Sequence, residues 1–297
     1  MREDKTEMSR LDRFARGFGA ATVLIALLFG IGAAPAAAEK SAQGRVVALA
    51  YDSHSDALLK AYPHALYRSD DGGKSWRKIA VPAVEDGEIA SLADSPAIKG
   101  VMYIAGRGLG VLLTDDRGKT WVERNDGLPN RAVISIAAHT TQPETVYAVV
   151  QDSGVYRSQD GGKSWRLMDR SSQGGIHQLI HSNMAGSMQT GWLFAATPKG
   201  VRRVMDCFCL WQDAGALGSP ARSVAFDPRQ PAHIFVATEK GLFRSADGGE
   251  NWTQMKSPNS KISALAFAPS GILYAITEDG ALFQSADQGD AWNQVNA

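Results

Sequence analysis

From about residue 44 onward, the chain alternates short apolar runs with polar turns. Runs rich in Val, Ile, Leu, Tyr and Phe are broken by Gly, Pro, Asn and Asp, as in VYAVV (146–150), GVYRS (154–158) and ILYAIT (272–277). Such runs predict β-strands bounded by turns. No stretch beyond the first forty residues has a convincing helical periodicity. The pattern therefore predicts an all-β protein.

The apolar runs belong to a repeat that occurs six times. Trp recurs at intervals of 45, 44, 46, 41 and 40 residues, and an Asp lies five positions before every one of these tryptophans. Four short strands per unit of this length are typical of a propeller blade. We therefore predict a six-bladed β-propeller of four-stranded antiparallel blades over residues 39–297. The repeat tryptophans are Trp76, Trp121, Trp165, Trp211, Trp252 and Trp292, and the repeat aspartates are Asp71, Asp116, Asp160, Asp206, Asp247 and Asp287.

The loop before each tryptophan, which we call the box loop, has the pattern S-x-D-x-G-x-[ST]-W in its regular copies. Its Asp can accept backbone N–H groups within the turn, and its Gly can adopt a positive φ. The Trp can pack between neighbouring sheets while its N–H finds a partner. We predict that the six aspartates are structural, because six equivalent sites cannot all be one active site.

The fourth copy departs from the repeat. It reads VMDCFCLW (204–211), keeps only the Asp and the Trp, and holds the two cysteines of the chain, Cys207 and Cys209. Residues i and i+2 of a strand lie at the limit of good disulfide geometry. The sequence leaves open a disulfide, two packed thiols, or a metal or redox role. A metal cluster with His177 and His181 would require these histidines to meet the cysteines across an intervening strand.

The first 38 residues have the pattern of a signal peptide. An uncharged apolar segment, residues 20–32, follows basic residues and precedes the small residues Ala36, Ala37 and Ala38. As a helix, this segment would be about 20 Å long, too short for the hydrocarbon core of a membrane. We predict cleavage near Glu39 and a periplasmic or other extracytoplasmic mature protein. An uncleaved N-terminal anchor is the alternative.

Composition and charge narrow the function classes. Hydrophobic residues make up 44% of the chain, and 31 Lys and Arg balance 31 Asp and Glu. The composition is that of a globular protein, and the neutral charge gives no basis for binding nucleic acid or an anionic membrane. No second apolar run is long enough to span a membrane.

These loops resemble the Asp-box, or BNR, repeat of sialidases. The matching segments are SDDGGKSW (69–76), TDDRGKTW (114–121), SQDGGKSW (158–165), SADGGENW (245–252) and SADQGDAW (285–292). With its regular GVYRS-type strands, the chain resembles photosystem II stability/assembly factor-like proteins and sortilin- or sialidase-like propellers. This resemblance implies a binding protein without catalytic activity, an assembly or stability factor for an extracytoplasmic or membrane complex, with no cofactor and no metal.

The alternatives are a sialidase-type glycoside hydrolase and a sugar-binding module, so a carbohydrate ligand stays open. Sialidases resemble this repeat but also carry an arginine triad, a Tyr nucleophile with a Glu partner and a Phe/Tyr-Arg-Ile-Pro segment, which is absent here. The recurrent arginines lie eight residues before Trp, which is a structural register. They are Arg68, Arg157, Arg203 and Arg244.

Because consecutive strands of a blade are antiparallel, alternate loops lie on opposite faces of the propeller. This alternation, called strand parity below, predicts where a partner binds. The box loops share one face, the box face, with the loops that join the first and second strands of each blade. The opposite face is formed by the loops between the second and third strands and by the connections between blades. Because propellers commonly bind ligands there, we predict a protein-binding surface with a polar rim on the opposite face. Its candidate residues are His64, Arg107, Arg131, Lys199 and Lys240.

Overall fold

The computed structural model describes residues 44–81, 87–171, 175–258 and 260–295. The predicted signal peptide, residues 1–38, lies outside them. The described residues form strands, turns and loops and contain no α-helix. Accordingly, no helix in this part of the chain is long and apolar enough to cross a membrane.

The strands form six four-stranded antiparallel sheets. Blades one to three comprise β1 (Ala48–Asp52), β2 (Ala57–Tyr62), β3 (Ala65–Ser69), β4 (Arg77–Ile79), β5 (Glu88–Asp94), β6 (Met102–Arg107), β7 (Gly110–Thr114), β8 (Val122–Glu123), β9 (Val133–Ala138), β10 (Val146–Val150), β11 (Gly154–Ser158) and β12 (Arg166–Asp169). Blades four to six comprise β13 (Gln178–Ser182), β14 (Trp192–Thr197), β15 (Gly200–Met205), β16 (Gln212–Asp213), β17 (Ala221–Asp227), β18 (Gln230–Thr238), β19 (Gly241–Ser245), β20 (Thr253–Gln254), β21 (Ile262–Phe267), β22 (Leu273–Thr277), β23 (Leu282–Ser285) and β24 (Asn293–Val295).

Each blade consists of consecutive strands in the order first, second, third and fourth, which confirms the predicted six-bladed propeller. The first strands of the blades contact one another around a central channel. Each fourth strand begins one residue after the repeat Trp. No strand is shared between the first and last blades, so the ring closes by packing of β1 against β21.

The core consists of six apolar clusters, each shared by two neighbouring blades. Alternate residues of β6 show the principle. Tyr103 and Ala105 pack toward blade three, whereas Met102 and Ile104 pack toward blade one. A strand in the middle of a stacked sheet buries both faces, so its sequence is apolar throughout. This packing explains the almost continuous apolar runs of the repeat.

Candidate functional site

The regular box loops are held by their own hydrogen bonds, as blade three shows. Asp160 Oδ1 accepts the Ser158 hydroxyl at 2.7 Å and the Ser164 N–H at 2.9 Å, and Ser158 Oγ accepts the Gly162 N–H at 2.8 Å. Hydrogen bonds from Ser164 and Ser158 lower the pKa of Asp160 to about 2. Gly162 has a φ of 85°, which favours glycine. The geometry agrees with a structural role for this aspartate.

The repeat tryptophans join neighbouring blades. In four of them the indole N–H donates to a backbone carbonyl near the end of the preceding blade: Trp121 to Ala80, Trp165 to Arg124, Trp252 to Ala214 and Trp292 to Lys256, at 2.8–3.0 Å. Trp76 differs and donates to Gly73 of its own loop at 3.0 Å. Buried indole area and a paired N–H together explain why the repeat uses Trp.

The box loop of blade four is built differently, and residues 204–211 are called the blade-four loop below. Val204 stands where the regular loops have Ser or Thr, so the hydroxyl that would bridge the turn is missing. Phe208 replaces the Gly yet keeps a positive φ of 57°, and it packs against Tyr147 and Trp211. A disulfide joins the residues on either side of Phe208, Cys207 and Cys209, which settles the alternative that the sequence left open.

Asp206 turns away from its own loop and into the protein. It is 2% exposed, and its carboxylate accepts the N–H of Thr190 at 3.0 Å and the Thr190 hydroxyl. The Thr190 hydroxyl oxygen in turn lies 2.8 Å from His139 Nε2. The His139 ring stacks on His181 with centroids 3.7 Å apart. His139, His181 and Asp206 are buried, and the exposed Thr190 bridges His139 and Asp206. These four residues, called the buried polar cluster below, lie between blades three and four.

The buried polar cluster brings together the donor atoms of a possible metal site. In the described part of the chain, ligand atoms of His139, His181 and Asp206 lie within 4.8 Å of one another. However, His139 Nδ1 accepts the backbone N–H groups of Thr141 and Gln142, at 3.1 and 3.0 Å. In a neutral ring this places the proton on Nε2, which leaves no lone pair there for a cation. The arrangement fits a hydrogen-bonded core better than a metal centre.

Burial keeps both histidines uncharged. It lowers the pKa of His139 to about 4 and that of His181 to about 3. His139 accepts backbone N–H groups in the turn after β9. Asp52 does the same in the turn after β1, where its carboxylate accepts the N–H groups of His54 and Ser55. The sequence analysis missed His139. The sequence feature that points to His139 is its position directly after the first strand of a blade.

The central channel, about 260 Å³ in volume, is lined by the first strands of all six blades. One channel carboxyl, Asp94, has a buried oxygen, Oδ2, without a hydrogen-bond partner in the described structure. Burial and the nearby Asp52 raise the pKa of Asp94 to about 8. Asp52 itself is paired with the buried Arg68, whose Nη1 lies 2.9 Å from Asp52 Oδ2. At neutral pH, Asp94 is thus an uncharged carboxylic acid.

The opposite face carries a depression of about 550 Å³ at the mouth of the channel. Arg107 lines this depression, and its backbone bridges to Ala132. Arg131 lies beside it, because its carbonyl accepts the N–H of Gly110 in the same turn, and its guanidinium bonds to Glu123 at 2.9 Å. The structure therefore brings these two predicted arginines together.

The other three predicted residues are also exposed but lie around this depression, not among its lining residues. His64 Nε2 is 3.9 Å from Glu88 Oε1, and Lys240 Nζ donates to the Gly218 carbonyl at 2.6 Å. Lys199 lies in the turn between β14 and β15. On the acidic side of the rim, Arg222 pairs with Glu239 and Glu278. Among the predicted arginines, Arg131 is paired with Glu123, whereas Arg107 has no ion pair in the described part of the chain.

Comparison with known proteins gives two family matches. Residues 57–187 match the Sortilin-Vps10 family (sortilin, neurotensin receptor 3), and residues 222–297 match the DUF6242 beta propeller domain. Both matches fall on the six repeats and support the same repeat class that the motifs indicated.

Curated relatives are of two kinds. A xyloglucanase from Paenibacillus sp is 23% identical over 246 residues, which is 64% of this chain but 23% of the relative. Photosystem II stability/assembly factor HCF136 of Arabidopsis thaliana is 22% identical over 154 residues, 50% of this chain and 38% of the relative. The chain thus spans well under half the length of these relatives.

Solved structures show the same two kinds. The GH74 enzyme of Niastella koreensis superposes with a TM-score of 0.59 at 20% identity, covering 86% of this chain and 47% of the enzyme. YCF48 bound to D1 peptide superposes with a TM-score of 0.57 at 18% identity, covering 85% and 82%. The chain thus has the β-propeller fold, and its BNR-like repeats resemble those of the photosystem II assembly factors, as its motifs predicted, and those of the GH74 enzymes.

Proposed function

We propose that the mature protein is an exported, non-catalytic propeller that binds a protein segment on the opposite face. There it serves as an assembly or stability factor for an extracytoplasmic or membrane complex. The observation that carries this proposal is the depression on the opposite face, with Arg107 exposed at its edge. The fold similarity to a YCF48 that was solved with a bound peptide supports it.

The depression around the channel mouth supplies the chemistry for such binding. Arg107 is exposed at its edge, and no side-chain partner for it is found in the described structure. A guanidinium presents five donors in a planar fork, which suits carboxylates and carbonyls of a peptide. Arg131 adds a second guanidinium in the same turn region. Its pairing with Glu123 is exposed on both sides, so a partner can replace it at little cost.

The experiment is affinity capture from detergent-solubilised native envelope, followed by mass spectrometry. The variant Arg107→Ala/Arg131→Ala should retain the melting temperature and lose most of the captured partner. The matched control, Lys163→Glu on the box face, should capture the same protein as the wild type. If both variants capture equally well, the partner does not use the opposite face.

The second candidate is a carbohydrate-active protein, favoured by the similarity to xyloglucanases. This similarity directs the alternative toward β-glucan substrates, whereas the sequence motifs suggested sialosides. Incubation of the mature protein with xyloglucan, and analysis of the released oligosaccharides, tests it. Hydrolysis that survives Arg107→Ala/Arg131→Ala would replace the proposed binding function.

A further inference from the structure

The disulfide of the blade-four loop holds a backbone conformation that its central residue disfavours. Phe208 has a φ of 57°, in the left-handed region where a bulky L-residue is strained. The five other blades place glycines at this position, Gly73, Gly118, Gly162, Gly249 and Gly289, with φ of 85–95°. Opening the disulfide would let Phe208 leave this conformation. The strain therefore favours the reduced loop.

The same disulfide stabilises the folded protein only slightly. It closes a ring across one intervening residue, and the entropy that a cross-link removes from the unfolded chain falls with loop length. A disulfide that encloses a strained residue, exposes one of its cysteines and stabilises the fold only slightly is of the labile kind that exchanges with thiols.

The two sulfurs differ in their surroundings. Cys209 is exposed, and the next residue, Leu210, is 71% exposed. Cys207 is partly buried and follows Asp206, whose carbonyl oxygen lies 3.5 Å from Arg157 Nη1. Access to the attacking thiolate therefore favours attack at Cys209 and leaves Cys207 as the leaving group.

We propose that Cys207–Cys209 is a thiol–disulfide exchange site that oxidises a dithiol in a partner polypeptide. A partner thiolate attacks Cys209 Sγ and forms a mixed disulfide, while the Cys207–Cys209 bond breaks and its electron pair leaves on Cys207 Sγ. The second partner thiolate then attacks the partner sulfur of the mixed disulfide and releases Cys209. The partner loses two electrons and two protons, and the two cysteines of this chain gain them.

The exposed apolar side chain of Leu210 beside the attacked sulfur suits a flexible peptide substrate better than a small polar thiol. This site lies on the box face, away from Arg107 and Arg131. Its activity is therefore independent of partner capture on the opposite face.

The main test uses the oxidised wild-type protein and a synthetic peptide that contains two cysteines. After incubation at neutral pH without denaturant, iodoacetamide blocks free thiols and mass spectrometry counts them. We expect near-stoichiometric oxidation of the peptide and two alkylated cysteines on the protein. A double variant, Cys207→Ser/Cys209→Ser, should leave the peptide reduced. If the wild-type disulfide opens only in denaturant, the proposal is wrong.

Trapping the mixed disulfide tests the direction of attack. A peptide with a single cysteine cannot complete the exchange with the oxidised wild-type protein, so acid quenching, alkylation and fragmentation mass spectrometry can locate the peptide. We expect about tenfold more peptide on Cys209 than on Cys207, because Cys209 is the exposed sulfur. Equal amounts on the two cysteines would overturn the assignment of Cys209 as the attacked sulfur.

Discussion

The loop before the repeat Trp is stabilised differently in blade three and in blade four. In blade three, Asp160 and two serines hold the turn by hydrogen bonds around Gly162. In blade four, a disulfide brackets Phe208, and Asp206 is recruited to a neighbouring cluster. The repeat Asp thus supports an exposed turn in blade three, as Asp160, and a buried cluster in blade four, as Asp206.

The comparison also shows where chemistry concentrates. In the regular box loops, the polar side chains are hydrogen-bonded within the loop. Few of their polar groups are therefore left to bind a ligand or to react. The irregular loop leaves an accessible disulfide at the surface and sends a carboxylate into the core beside two histidines. A repeat protein can change one copy without losing the fold, because each blade depends mainly on its neighbours.

The largest expected effect concerns the tryptophans of the two loops. Trp165→Ala should lower the free energy of unfolding by about 3–5 kcal/mol, because it empties a buried inter-blade site. Trp211→Ala should cost about half as much, since Trp211 is only partly buried. Urea denaturation followed by circular dichroism measures both. Equal losses would mean that blade four is packed as tightly as blade three.

For the aspartates we expect the opposite order, with the larger loss of stability in blade four. Asp206→Ala should cost about 2 kcal/mol, because Thr190, and through it the buried His139, loses the acceptor that holds the cluster together. Asp160→Ala should cost about 1 kcal/mol, because the N–H of Ser164 can turn to water. Paired urea titrations of the two variants provide the measurement. A larger loss for Asp160→Ala would show that the box loop matters more than the buried polar cluster.

Acid should affect the two regions in different pH windows. The folded pKa values of His139 and His181, about 4 and 3, lie below the unfolded value of about 6.5, so unfolding takes up protons as the pH falls below 6.5. Asp94, with a folded pKa of about 8, opposes them, because it already holds a proton when folded. Between pH 6.5 and 5.5 the two unfolded histidines take up about one and a half protons on average and folded Asp94 holds about one. The net uptake of about half a proton should lower the free energy of unfolding by about 0.7 kcal/mol over this window.

The box aspartates titrate lower. The folded pKa of Asp160 is about 2, below its unfolded value, so its contribution persists above about pH 4 and is lost as the pH falls toward 2. Urea titrations at pH 6.5, 5.5 and 4.5 isolate the histidine window. His181→Gln should flatten the dependence there, and Asp94→Asn should steepen it. A pH-independent stability between 6.5 and 4.5 would contradict the assigned burial of the histidines.

Much of the architecture could be predicted from the residues. The Trp, Asp and Gly spacing fixed the blade number, and the strand patterns VYAVV and GVYRS match β10 and β11. Strand parity also placed Arg107 and Arg131 on the same face of the propeller, and the structure brings their backbones together. These predictions succeeded because their causes are local or periodic: the pleat alternates every residue, and a turn depends on residues within a few positions.

The sequence by itself determined the six blades, the box loops and the position of the irregular fourth copy. Only the tertiary structure decided that His139 of blade three meets His181 and Asp206 of blade four, because residues up to 67 positions apart meet there through the packing of two sheets. It also decided that Cys207 and Cys209 are bonded, since residues i and i+2 reach bonding distance only when the residue between them bends the chain. Phe208 makes that bend with its left-handed φ, and its ring packs against Tyr147 of blade three and Trp211 of its own blade.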